Sequence, residues 1–93
     1  MVVSSVEELL KPELGLFPNP VKAGQRLTLR TNLFFENSTL YLLNAYGQTV
    51  GAQTVTASQQ EIETAGLLPG IYFYEWVAGS GSSLGRGKLV VVQ

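Results

Sequence analysis

The chain has 93 residues, enough for one small domain. It is 45% hydrophobic and 14% charged, too apolar for a disordered tail and too sparsely charged for a coiled coil. Six Lys/Arg against seven acidic residues leave a net charge of −1, which makes no electrostatic case for nucleic acid or an anionic membrane.

There is no cysteine and no histidine. That excludes a disulfide scaffold and thiolate or imidazole metal ligation, so stability must come from packing. The longest apolar runs, such as Leu89-Val90-Val91-Val92, are four residues, far short of a membrane span. The first eight residues lack the basic region and apolar core of a secretory signal. If the protein is exported, it travels as part of a longer precursor.

Residues 1–13 read as a tether. Ser5 as N-cap and Glu8 at the capping-box position allow one helical turn, which Pro12 would end. Leu14-Gly15-Leu16-Phe17 is a short first strand stopped by Pro18-Asn19-Pro20, where two prolines remove backbone donors and hold their neighbours extended. Gly24 supplies the turn that follows. Arg26-Leu27-Thr28-Leu29-Arg30-Thr31 alternates cleanly, with Leu27 and Leu29 on the buried face. Phe34 and Phe35, in the next loop, are expected to tuck against an edge of the core.

Thr39-Leu40-Tyr41-Leu42-Leu43 and a strand beginning at Thr49 flank Asn44-Ala45-Tyr46-Gly47-Gln48. Asn and then Gly three residues later predict a type I turn closed by a left-handed glycine. Residues 59–64 form a polar edge strand anchored by Ile62. Pro69-Gly70 suits the centre of a type II turn. Ile71-Tyr72-Phe73-Tyr74-Glu75-Trp76-Val77 is the richest strand. Glu75 should face solvent with Ile71 and Phe73, leaving Tyr72, Tyr74 and Trp76 for the core. A Gly/Ser loop at residues 78–83 leads to a final β-branched strand. Seven strands at 8–12-residue spacing with no long helix predict a small all-β antiparallel β-sandwich.

Catalysis has little to work with. No histidine is present to serve as base. Glu61 and Glu63 fit a polar edge better than a glycosidase pair. With no aspartate, an oxygen-only calcium site lacks its usual ligands. Gly85-Arg86-Gly87-Lys88 lacks the strand–loop–helix context of a phosphate loop. No cofactor is expected. An aromatic sugar platform built from Tyr41, Tyr46, Tyr72, Tyr74 or Trp76 competes with the plainer reading of these residues as core.

Five motifs in order form a pattern. They are Leu16-Phe17-Pro18-Asn19-Pro20, Leu27-Thr28-Leu29, Asn44-Ala45-Tyr46-Gly47-Gln48, Leu67-Leu68-Pro69-Gly70-Ile71-Tyr72-Phe73 and Gly87-Lys88-Leu89-Val90-Val91-Val92. Together they resemble the type A C-terminal sorting domain of the type IX (Por) secretion system of Bacteroidetes-like bacteria, over residues 14–93. The resemblance implies a seven-stranded immunoglobulin-like sandwich without enzymatic activity, appended to a passenger protein. It also implies partners in the type IX machinery and a surface sortase, export through the periplasm to the cell surface, and removal of the domain there, commonly with attachment of the passenger to lipopolysaccharide. The family's segments fall on Pro18, Asn19, Pro20, Gly47, Gly70, Tyr72, Lys88, Leu89, Val90, Val91 and Val92. Where the family often has a basic residue near its last position, this chain has Gln93.

On these readings residues 1–13 are a linker containing the cleavage region, to be sought first in residues 2–8, and residues 14–93 are the sorting domain. The final strand is expected to expose backbone groups for capture by strand addition, and edge strands leave room for weak self-association. The competing functions are a carbohydrate-binding or adhesive surface module and a structural spacer.

Overall fold

The computed structural model describes residues 12–32 and 37–93. The helical turn read over residues 5–10 and the Phe34–Phe35 pair lie outside them. In chain order the strands are β1 (Leu14–Phe17), β2 (Val21–Lys22), β3 (Leu27–Thr31), β4 (Thr39–Leu43), β5 (Thr49–Thr54), β6 (Gln59–Ile62), β7 (Gly70–Val77) and β8 (Ser83–Val92). They build an all-β sandwich of two sheets, one ordered β1-β3-β6 and the other β2-β8-β7-β4-β5.

The expected count of seven becomes eight because Val21 and Lys22, read from the sequence as part of a turn, form β2. This short strand runs parallel to β8, pairing Val21 with Val91 and Lys22 with Val92, so the sandwich is not wholly antiparallel. Two residues are too few for a periodic signal, and only their distant partner makes them a strand.

Period-2 alternation assigns the faces elsewhere. Leu16, Leu27, Leu29 and Ile62 from the smaller sheet meet Leu40, Leu42, Tyr72, Trp76, Leu89 and Val91 from the larger one. Trp76, Leu27, Leu29 and Leu89 are fully buried. Burying a side chain of this size stabilises the fold by roughly 1.5–3 kcal/mol. The Tyr/Trp face of β7 is therefore the core face, as expected, with Tyr74 partly buried at its margin. β6 is the expected polar edge, paired to β3 alone and burying only Ile62.

The turns are local chemistry. Asn44 organises the β4–β5 hairpin: its Oδ1 accepts from the backbone N–H of Tyr46 at 2.9 Å and of Gln48 at 3.0 Å, and Gly47 takes φ +83°. The β6–β7 corner differs from expectation. Leu67 N–H closes on Thr64 C=O and the glycine of that turn is Gly66, φ +88°, whereas Gly70, at φ +157°, lies far from the φ near +80° of a type II turn and opens β7 opposite Val91. Pro69 and Gly70 are therefore not the centre of a type II turn. The Tyr72 hydroxyl donates to Leu68 C=O at 2.6 Å, tying this corner to β7, while the Thr64 hydroxyl donates to Gln25 C=O beside β3.

Gly85 and Gly87 lie opposite Trp76 and Tyr74 in the β7–β8 ladder. A Cβ on Gly87 would overlap the Tyr74 ring, whereas a Cβ on Gly85 would come no nearer than 4.0 Å to Trp76. Gly87 thus lets the Tyr74 ring lie across the neighbouring strand. Gly87→Ala is expected to destabilise the domain by about 1–3 kcal/mol through overpacking, with Gly85→Ala close to neutral in the same thermal melts. Gly47→Val should cost more than about 1 kcal/mol, because a β-branched side chain is strained at that positive φ.

Candidate recognition site

The segment Pro18-Asn19-Pro20 carries the chain from one sheet to the other. β1 belongs to the smaller sheet and β2 to the larger, and both the Phe17–Pro18 and Asn19–Pro20 peptides are cis. Between the prolines the Asn19 side chain acts as a strand substitute. Its Nδ2 donates to Lys88 C=O at 2.8 Å and its Oδ1 accepts from Val90 N–H at 3.0 Å. A carboxamide, with one donor and one acceptor at peptide-like spacing, satisfies both groups. Just beyond it β2 pairs with Val91 and Val92, and Ala23 N–H donates to Val92 C=O at 2.6 Å.

This geometry corrects the expectation that residues 89–92 expose backbone groups for strand addition. β7 occupies one side of β8, while Asn19 and β2 occupy the other. A sequence reading sees the β-branched run but not the polar side chain that covers it from about 70 positions away.

The motif residues converge on one end of the five-stranded sheet. Leu43, which enters the Gly47 turn, pairs with Phe73, and Phe73 pairs with Lys88. Gly70 lies opposite Val91, which also pairs with Val21, directly after Pro20. Period 2 then divides the residues by role. Leu89 and Val91 point into the core and Tyr72 is buried, whereas Lys88 and Val92 are exposed and Val90 is half-buried. Pro18, Asn19 and Pro20 are exposed, as is Gly47 at its turn.

The remaining candidate groups disperse. Glu61 pairs with Arg26 at 2.9 Å, both exposed, and Glu63 accepts from Ala65 N–H. Of the five aromatic side chains considered for a sugar platform, Trp76 and Tyr72 are core, Tyr41 and Tyr74 are half-buried, and Tyr46 projects from the hairpin turn at 90% exposure.

Apolar side chains, an amide, glycines and one lysine gathered at a sheet end can position a partner, but they bring no nucleophile and base together. Over residues 15–92 the chain matches the family model described as the secretion system C-terminal sorting domain, and it belongs to that family, the sorting signals of type IX secretion. The family implies engagement with the type IX machinery, a passenger on the N-terminal side, and export to the cell surface or extracellular space; it is not a family of catalysts. Among solved structures, that of CopC from Methylosinus trichosporium OB3b is similar in fold, with a TM-score of 0.58 and 16% identity over 86% of this chain and 94% of that chain. No curated protein matches the chain.

Removing the side-chain fastener tests its weight. Asn19→Ala is expected to lower stability by about 1–3 kcal/mol, the cost of two lost hydrogen bonds. Amide exchange should accelerate at Val90, whose N–H faces Asn19, well before it does at Leu89, whose N–H faces β7.

Proposed function

We propose that this chain is the address of a larger precursor, carried through the periplasm with its passenger and removed by a surface sortase after translocation. The observation that carries the reading is the family match across residues 15–92. The structure supplies support of a different kind. The domain fastens its own last strand through Asn19 and β2.

Cleavage is assigned to the linker of residues 1–13, with residues 2–8 the first place to look. Glu13 is less suitable. Its N–H donates to Asn32 Oδ1 at 2.7 Å and its C=O accepts from Asn32 N–H at 3.2 Å, so its backbone is held by the sandwich. A processing enzyme needs extended backbone that it can draw into a cleft. The sorting domain then begins at Leu14, and Pro18-Asn19-Pro20 serves its construction more than its recognition. A carbohydrate-binding role would draw on a dispersed set of aromatic side chains, with Trp76 and Tyr72 committed to the core.

The test is a reporter bearing an export signal, followed by the 93-residue chain, in a type IX-competent bacterium. The expected result is reporter at the surface or in the medium, with a new C-terminus before Glu13 by mass spectrometry. Reporter retained in the periplasm would overturn the sorting assignment. Delivery with the domain still attached would overturn the sortase step alone.

A further inference from the structure

The outward face of the five-stranded sheet carries a feature that construction of the fold does not require. Leu43, Phe73 and Lys88 form one cross-strand row, Ile71 and Val90 the next, and Tyr41, Glu75 and Arg86 a third. Ile71 is 50% exposed and Phe73 46%, although both sit on a central strand. Beside them Leu43, Phe73 and Lys88 border a cleft of about 400 Å³. Contiguous exposed apolar side chains rimmed by charge mark a docking surface. The outward half of the last motif, Lys88 and Val90, opens onto this same face.

Resting on the sorting assignment, we propose that this face, centred on Phe73 and bounded by Leu43, Ile71, Lys88 and Val90, is where the secretion machinery reads the domain. The partner is a protein surface offering apolar side chains and a carboxylate. The charge pattern selects it. Arg86 lies 3.7 Å from Glu75, whereas among the described residues no carboxylate pairs with Lys88. A second copy docking through this same face would bring Glu75 to Lys88, among the described residues of the face, and Arg86 already attends Glu75. An anionic membrane is held by clusters of four or more basic residues, about twice what this face presents. Phe73 supplies the rigid aromatic anchor and Lys88 the orientation.

The reporter fusion of the full chain tests the surface with Phe73→Thr, Ile71→Thr and Lys88→Glu, threonine being chosen to keep strand preference. Tyr46→Ser, which removes an exposed aromatic from outside the face, is the control. The expected result is delivery reduced at least about ten-fold for Phe73→Thr and Lys88→Glu, the loss that follows removal of an interface anchor. Their melting midpoints should stay near that of the parent, and Tyr46→Ser should be delivered normally. If Phe73→Thr fails to fold, Ile71→Thr and Lys88→Glu decide the matter.

Parental delivery of all folded face variants would overturn the surface. So would a dimer by sedimentation that Phe73→Thr converts to monomer, since a second copy would then be the occupant. Adsorption to phosphatidylserine vesicles that Lys88→Glu abolishes would overturn it in favour of lipid. Retention of the parent fusion itself would instead remove the sorting assignment on which the surface rests.

Discussion

Everything in this domain depends on one segment serving both sheets. From Leu14 to Lys22 the chain lays β1 on β3, crosses the open side of the sandwich, and lays β2 on β8. At the crossing, the Asn19 amide takes the place of a missing strand residue and holds Lys88 C=O and Val90 N–H. The first and last strands are thereby closed on one another across about seventy positions. Bringing such distant residues together has an entropic cost, but one that grows only slowly with loop length. The return is that residues 88–92 of the last strand have hydrogen-bonding partners on both sides, which shortens an edge that would otherwise recruit other chains.

That closure changes the meaning of the motif residues. Backbone alternation places Leu89 and Val91 in the core and leaves Lys88, Val90 and Val92 outside. A run of four apolar residues therefore contains a structural half and a presented half, and only the second is available to a partner. Tyr72 likewise fastens the β6–β7 corner through Leu68, and Gly47 makes a turn. Leu89, Val91, Tyr72 and Gly47 thus hold the sandwich together and leave Lys88, Val90 and Val92 on its surface.

The parts legible from sequence are those governed by local physics. Leu27 and Leu29 declared the buried face of β3, Asn44 and Gly47 declared a hairpin, and the position of Glu75 sorted the two faces of β7. What sequence reading missed was set by distant partners. β2 exists because β8 lies beside it. Gly66 displaced Gly70 as the turn glycine because Gly70 is needed to open the ladder opposite Val91. Asn19 looked like loop polarity because nothing nearby shows that its amide meets the backbone of residues 88 and 90. At the recognition site, the exposure of Ile71 and Phe73 followed from alternation. Their gathering with Leu43, Lys88 and Val90 needed the order β8-β7-β4.

The two-faced character of β7 is the last piece. Its inner face, Tyr72 and Trp76, completes the core, while its outer face carries Ile71 and Phe73 at about half exposure. Strands apolar on both faces belong where both faces are covered. Here the smaller sheet covers one face and nothing in the chain's described residues covers the other. Exchanging those two side chains for polar ones would cost the core little, because neither contributes to it. Their presence makes sense if the covering layer arrives from another molecule, with Lys88 at its border to set the direction of approach.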